Sequence, residues 1–325
     1  MVKTIKFLKC NNFFIHPKQP FNFEGTFFKP SHFPSKLVVY DKESLIQGIR
    51  ISGELFGLVI SNVGNKRIPR IRVKVYSSKG ASPEIQNKIR NELIIRYNLD
   101  AEIADFLKCF KSDEILAGSL RKWKGMRPST AYSLYGFLMV ATVLQNATVG
   151  RSIKMMESLL QNYGVKLIFH DKEVFEFWEP EDIEKIPEEE LRNLRIGYRA
   201  KIIKKISHAF ASGEIEEDEL RKIKDEEIVA NRLRSLYGVG LQSVSYILFE
   251  VFHFYDALNY LSLWEGKILS MLLFGKKTAS TERIVAFVKK RWGQWRMLAV
   301  HYLFEDLFWR RKKEQIPWLE EEIRK

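Results

Sequence analysis

The chain has 325 residues, 46% apolar and 29% charged, a composition of ordinary globular proteins that is long enough for two domains. Its net charge of +13 and pI of about 9.5 favour a polyanionic partner over a neutral metabolite. No apolar run is long enough to cross a bilayer and the start, Met1-Val-Lys-Thr-Ile-Lys, lacks a signal-peptide core, so a cytoplasmic chain without a membrane partner is expected.

In chain order, Phe13-Phe14-Ile15, Leu37-Val38-Val39-Tyr40, Phe56-Gly-Leu-Val-Ile60 and Ile71-Arg-Val-Lys-Val-Tyr76 read as strands. The last alternates, with Ile71, Val73 and Val75 on one face and Arg72 and Lys74 on the other, as a half-buried antiparallel strand does. His16-Pro17, Lys29-Pro30 and Asn65-Lys66 mark turns. After Ser78-Lys-Gly80 the period becomes helical, and nearly everything from there reads as helix. Expected helices cover 83–97, 132–144, 149–163, 198–212, 226–235, 244–254, 263–274, 280–292 and 294–309, with a further helix start at Pro187-Glu-Glu-Glu-Leu. The expected fold class is α+β: a small antiparallel β-sheet domain over 1–100, an all-α domain over 101–305, and a charged, solvated helical tail over 306–325. Cys10 and Cys109 are too few for a four-thiolate site and are expected to be buried or idle thiols. Six scattered histidines show no ligand spacing, so no metal held by side chains is expected.

The most informative stretch is Leu236-Tyr-Gly238-Val-Gly240, between a charged helical run and an apolar one. Two glycines around one apolar residue turn the backbone sharply and leave peptide N–H groups free at the second helix's N-terminus, where a phosphate is favoured. Read alone, such a turn serves equally as a plain helix connection.

Other motifs accompany it in order. Gly125-Met-Arg-Pro128 precedes an apolar helix ending in Leu144-Gln145-Asn146-Ala-Thr-Val149, and Leu191-Arg-Asn-Leu-Arg-Ile-Gly197-Tyr198-Arg199-Ala200-Lys201 precedes the hairpin. Trp292-Gly293-Gln294-Trp295-Arg296, with Ala299 and Tyr302, follows it. Taken together, residues 15 to 305 resemble the helix-hairpin-helix DNA glycosylase superfamily, most closely its alkylbase branch, in which a sheet domain precedes the helical ones. The resemblance implies a monomeric enzyme of base excision repair. It would act on double-stranded DNA containing a damaged base or abasic site, extruding a damaged, alkylated purine and hydrolysing its N-glycosidic bond. It further implies that Gly238, Val239 and Gly240 meet phosphates, that hairpin carbonyls near Gly238 and Gly240 hold a monovalent or alkaline-earth cation, and that Arg199, Lys201 and Lys267 add charge. No other cofactor is implied. Gln145 and Asn146 fall where the family fills the gap left by the extruded base; read alone, they are ordinary helix-end residues. Tyr246 and Trp295 fall where the alkylbase branch places aromatic walls, and read alone they are core aromatics.

One position departs from the family. Its catalytic Asp stabilises the sugar's oxocarbenium charge, and that position is Ser262 here, with Tyr260 in place of the usual Pro. Glu265, three residues on and leaning back along the helix, is the replacement carboxylate to examine; its competing reading is a solvent-facing helix residue. Gln242 stands where lyase members carry a Schiff-base lysine, so no lyase step is expected. The rival to a hydrolase is an altered or inactive damaged-DNA-binding protein. A basic architectural DNA binder is a weaker third.

Overall fold

The computed structural model describes residues 2–41, 43–65 and 67–323. The turn expected at Asn65-Lys66 includes Lys66, and the expected tail includes Arg324 and Lys325; these three lie outside the described residues. The fold is mixed α+β, with a small N-terminal sheet and a mostly helical remainder. Among the described residues no helix is long and apolar enough to cross a membrane.

Eight strands are present: β1 Lys3–Lys6, β2 Lys9–Ile15, β3 Val38–Asp41, β4 Ser44–Ile51, β5 Glu54–Asn62, β6 Ile71–Ser77, β7 Val165–Phe169 and β8 Lys172–Glu176. Five of them form an antiparallel sheet in the order β2-β6-β5-β4-β3. The alternation in β6 holds: Ile71, Val73 and Val75 are fully buried and Arg72 and Lys74 are half-buried.

Three strands correct the expectation that the chain is helical after residue 80. β7 and β8 pair antiparallel around His170 and Asp171, both at positive φ (51° and 54°), the geometry of a two-residue hairpin turn. β1 then adds in parallel to β7. This second sheet lies against the first, so β5 is buried on both faces from Phe56 to Ile60. Gly48 and Gly57 are register partners, and a Cβ at Gly57 would lie 2.5 Å from the Phe169 ring. The two sheets approach closely because that pair has no side chains.

Helices follow the expected spans closely: Pro83–Arg96, Leu134–Leu144, Val149–Tyr163, Arg199–Ala211, Glu226–Arg234, Leu241–Glu250, Leu263–Phe274, Thr281–Trp292 and Arg296–Arg311. Ser133, Thr148, Asp225, Ser262 and Ser280 cap five of them with side-chain oxygens. The sheet is tied to the helices by Arg127, which is fully buried and donates to the carbonyls of Ala101, Lys18 (2.6 Å) and Pro20 (3.0 Å).

The tail is not solvated. Helix Arg296–Arg311 runs unbroken across 305 and 306, and the last helix, Pro317–Ile323, folds back onto Leu263–Phe274. Leu319 is fully buried against Ile268 and Leu307, and Arg311–Glu320 (2.6 Å) and Lys277–Glu321 (2.9 Å) close the rim. The cysteines are both free and exposed rather than buried. Because Leu319 leaves a cavity when truncated, Leu319→Ala should lower stability by about 2–4 kcal/mol in thermal melts. An unchanged melting temperature would mean that the tail contributes nothing.

Candidate functional site

The hairpin corner is exposed. Tyr237, Gly238, Gly240, Leu241 and Gln242 all face solvent, between helices Glu226–Arg234 and Leu241–Glu250. Gly238 has φ +80°, and a Cβ there would lie 2.7 Å from Ile202, so the turn needs glycine both for its backbone and for its fit against the neighbouring helix. Gly240 caps the second helix without any side-chain hydrogen bond, which leaves the first-turn N–H groups open. Residues 237 to 241 therefore present an uncapped, positively polarised helix end to whatever approaches.

The turn after helix Leu134–Leu144 is bound to this corner. Gln145 Nε2 donates to the Gly238 carbonyl at 2.9 Å, and Asn146, at φ +46°, donates to the Tyr198 hydroxyl at 3.1 Å. Arg199 is buried at 3% exposure and its guanidinium donates to the Gln145 carbonyl. It locks the turn and is not an open phosphate contact. Lys267 likewise is engaged, pairing with Glu322 of the last helix at 3.1 Å. Lys201 remains exposed, its ammonium 5.1 Å over the Tyr237 ring. Tyr198 and Tyr237, 46% and 49% exposed, and Leu263, 86% exposed, were not singled out in the sequence. The signal for Tyr237 was its place inside the hairpin motif. Leu263 immediately follows Ser262, yet only its exposure reveals it as a rim residue.

Glu265 is not a solvent-facing helix residue. It is 5% exposed and completes a capping box with Ser262 at the start of helix Leu263–Phe274. Its Oε2 accepts from the Ser262 hydroxyl (2.7 Å), the Ser262 N–H (2.9 Å) and the Gln242 amide (3.1 Å), and its Oε1 accepts from the Tyr246 hydroxyl. Gln242, Tyr246, Ser262 and Glu265 are thus brought together by two helices and a loop. Burial, then the adjacent Glu265 carboxylate, pushes the Tyr246 hydroxyl well above its ordinary value, so it stays a neutral donor. Trp295 lies apart from this set in its ring contacts, stacking on Tyr255 at 5.4 Å and tilting against Phe106 at 5.6 Å. It and Tyr246 border the same apolar core.

Further along the helix, Glu250 is buried opposite Lys29 (3.6 Å), His32 (3.8 Å) and His301 (3.8 Å) and accepts the Ser129 N–H at 2.9 Å. Burial alone would raise its carboxyl, but these basic groups outweigh it and hold Glu250 below the usual carboxylate range. Glu305 is buried beside them and shifts the other way, raised by burial. Among the described residues no group of three or more His, Cys, Asp or Glu is arranged to hold a metal ion.

No protein-family model and no curated protein sequence matches the chain. Solved structures do. A 3-methyladenine DNA glycosylase from Archaeoglobus fulgidus is similar with a TM-score of 0.75 and 18% identity, over 91% of this chain and 98% of that one. MBOgg1, in complex with a low-affinity DNA ligand, gives 0.70 and 17%, over 94% and 100%. The apo form of an 8-oxoguanine glycosylase/lyase from Clostridium acetobutylicum gives 0.68 and 16%, over 93% and 99%. At these identities the likeness is one of fold: the chain has the fold of the helix-hairpin-helix DNA glycosylases.

The corner's fit makes a direct prediction. Gly238→Ala should cost about 1–3 kcal/mol of stability, because it strains the backbone and meets Ile202, and should weaken duplex binding. A variant that melts and binds as the native chain does would show that the corner neither needs glycine nor touches nucleic acid.

Proposed function

We propose that this chain is a DNA glycosylase of base excision repair, hydrolysing the N-glycosidic bond of an extruded, damaged purine, alkylated ones included, with Glu265 as the catalytic carboxylate. The observation that carries the reading is the position of Glu265: a buried carboxylate, held by four donors, one turn into a helix beside an exposed hairpin corner. The glycosylase fold and the net charge of +13 support it.

In this reading the open N–H groups at Gly240 and Leu241 accept a backbone phosphate, and Lys201 adds charge. A cation bridging the hairpin to the strand would find the Gly238 carbonyl with one lone pair left after the Gln145 hydrogen bond. Gln145, Asn146 and the exposed Tyr198 stand at the turn that would occupy the gap left by the extruded nucleotide, while Tyr246 faces the base. As the bond from base to sugar breaks, positive charge grows on the sugar and the Glu265 carboxylate stabilises it in a site of low dielectric. Water then adds to the anomeric carbon. Gln242 has no nucleophilic amine, so the strand is not cleaved through a Schiff base at that position.

The second reading is a damage-binding protein without chemistry. The observation favouring it is that both Glu265 oxygens are already engaged, Oε2 by three donors, as suits a structural cap. Base release from methylated and deaminated duplexes separates the two. Glu265→Gln should lose about 10²–10³-fold in release rate; an unchanged rate would remove Glu265 from the mechanism. Ser262→Asp alone would set two carboxylates against each other, since the Ser262 hydroxyl lies 2.7 Å from Glu265. The informative rescue is therefore Ser262→Asp combined with Glu265→Gln, which should recover release. No release from any lesion, with tight binding to an abasic duplex, would establish the binding reading.

Duplex affinity should also fall steeply with salt, with a log–log slope of roughly −0.9 per neutralised phosphate. A flat response would exclude DNA as the partner.

A further inference from the structure

A buried polar cluster next to Tyr246 plays no part in the reaction proposed above. Tyr246 and Glu250 lie four residues apart on one face of helix Leu241–Glu250. His301 and Glu305 are likewise four apart on Arg296–Arg311, and Lys29, Ser31 and His32 come from the loop after the short helix Phe23–Phe27. Lys29 and His301 have side-chain exposures of 1% and 7%, and Glu305 is 2% exposed. Glu250 and Glu305 are both within electrostatic reach of the Tyr246 hydroxyl.

Three atoms of this cluster are buried with no hydrogen-bond partner among the described residues: Lys29 Nζ, His301 Nε2 and Glu305 Oε2. Leaving such a group unpaired costs about 1–3 kcal/mol each. Core polar groups elsewhere in the chain are closed off. The Tyr135 hydroxyl, for example, meets Ser207 at 2.7 Å and receives the Trp178 ring N–H at 2.8 Å. Three open groups converging beside an aromatic ring fit a polar ligand edge instead.

The kinds of group define that edge. Lys29 Nζ donates. Burial holds the His301 ring well below its usual value and hence neutral, and its Nδ1 faces the Glu250 carboxylate, which places the ring hydrogen there and leaves Nε2 an acceptor. Glu305 Oε1 is taken by the Ser31 hydroxyl, and Oε2 accepts. One donor and two acceptors complement a ligand with one acceptor and two donors. Among nucleobases the guanine edge has this set, in O6, N1–H and the 2-amino group. Adenine offers one donor and one acceptor there, hypoxanthine lacks the amino donor, and uracil offers two acceptors.

We propose that Lys29, His301 and Glu305 form the base-reading floor of the site and take the 6-oxo-2-amino edge of an extruded purine whose face lies on Tyr246. This rests on the reading of the chain as one that extrudes a base, and adds the base class to it. The order along the site is consistent, with the sugar at Glu265, the ring at Tyr246 and the far edge at the Glu250 end of the same helix. Oxidised guanine and N7-alkylated guanine both keep this edge, so the cluster selects a guanine-type base and leaves the damage itself to be read by other contacts.

The test is competitive binding of the full chain to duplexes carrying one uncleavable 2′-fluoro nucleotide, with base release from ordinary duplexes measured alongside. Duplexes with 8-oxoguanine, 7-methylguanine, hypoxanthine and adenine are compared, and the first two should bind about tenfold to a hundredfold more tightly than the last two. The ratio between 8-oxoguanine and 7-methylguanine identifies which source is preferred. Lys29→Met and Glu305→Met should each erase most of that preference while binding to an abasic duplex is unchanged, which also certifies that the variants are folded. Lys29→Gln, which keeps a donor in place, should retain the preference. Equal binding of all four duplexes by the native chain, or a preference that survives both Met substitutions, overturns the proposal. Guanine-type selectivity in binding without base release from any duplex would sink the hydrolase reading alone; base release without that selectivity would sink this one alone.

Discussion

A carboxylate withdrawn from water keeps its charge only if donors are brought to it, and around Glu265 they come from three places. The backbone and hydroxyl of Ser262 belong to the loop before its own helix, the Gln242 amide to the first turn of the hairpin's second helix, and the Tyr246 hydroxyl to the next turn of that helix. The position of this one side chain therefore fixes the angle between helices Leu241–Glu250 and Leu263–Phe274. It also links the exposed corner at Gly238 to the buried interior, since one helix begins at the corner, carries Gln242 and Tyr246 past Glu265, and ends at Glu250. Under the proposed reaction, grip on the strand, charge at the sugar and contact with the base are spaced along a single rod.

The surroundings of that rod are rigid for identifiable reasons. The corner is pinned by Ile202 against Gly238 and by Gln145 against its carbonyl, and Arg199 is buried in order to hold Gln145. The helix of Glu265 is backed by the folded-over last helix, whose Leu319 fills the space beside Ile268. Lys267, a candidate for DNA contact, is committed to that packing through Glu322. The loop that supplies Lys29 and His32 is anchored near Arg127, whose guanidinium collects three carbonyls. Residues that looked like ligands by position thus divide into those that touch the open surface and those that hold them in place.

Much of this was readable in the residues. The helical periods placed nine helices to within a few residues, because capping side chains and apolar spacing are local signals. Glycines at 238 and 240 announced an exposed turn. The hairpin β7–β8 was missed although Val165, Leu167 and Phe169 alternate, because five-residue strands among long helices carry too little periodic signal. The tail was misjudged for a related reason. Its charges are conspicuous in the sequence, whereas the burial of Ile316 and Leu319 depends on a partner surface 50 residues earlier.

Sequence alone determined the fold class, the helix spans, the glycine corner and the replacement of an aspartate position by Ser262 with Glu265 three residues on, since each depends on local spacing. Only the tertiary structure decided that Glu265 is buried against Tyr246 and Gln242, that Arg199 and Lys267 are engaged internally, and that Lys29, His301 and Glu305 converge from two distant segments. Burial and the pairing of polar groups are properties of what surrounds a side chain, and those neighbours lie far along the chain.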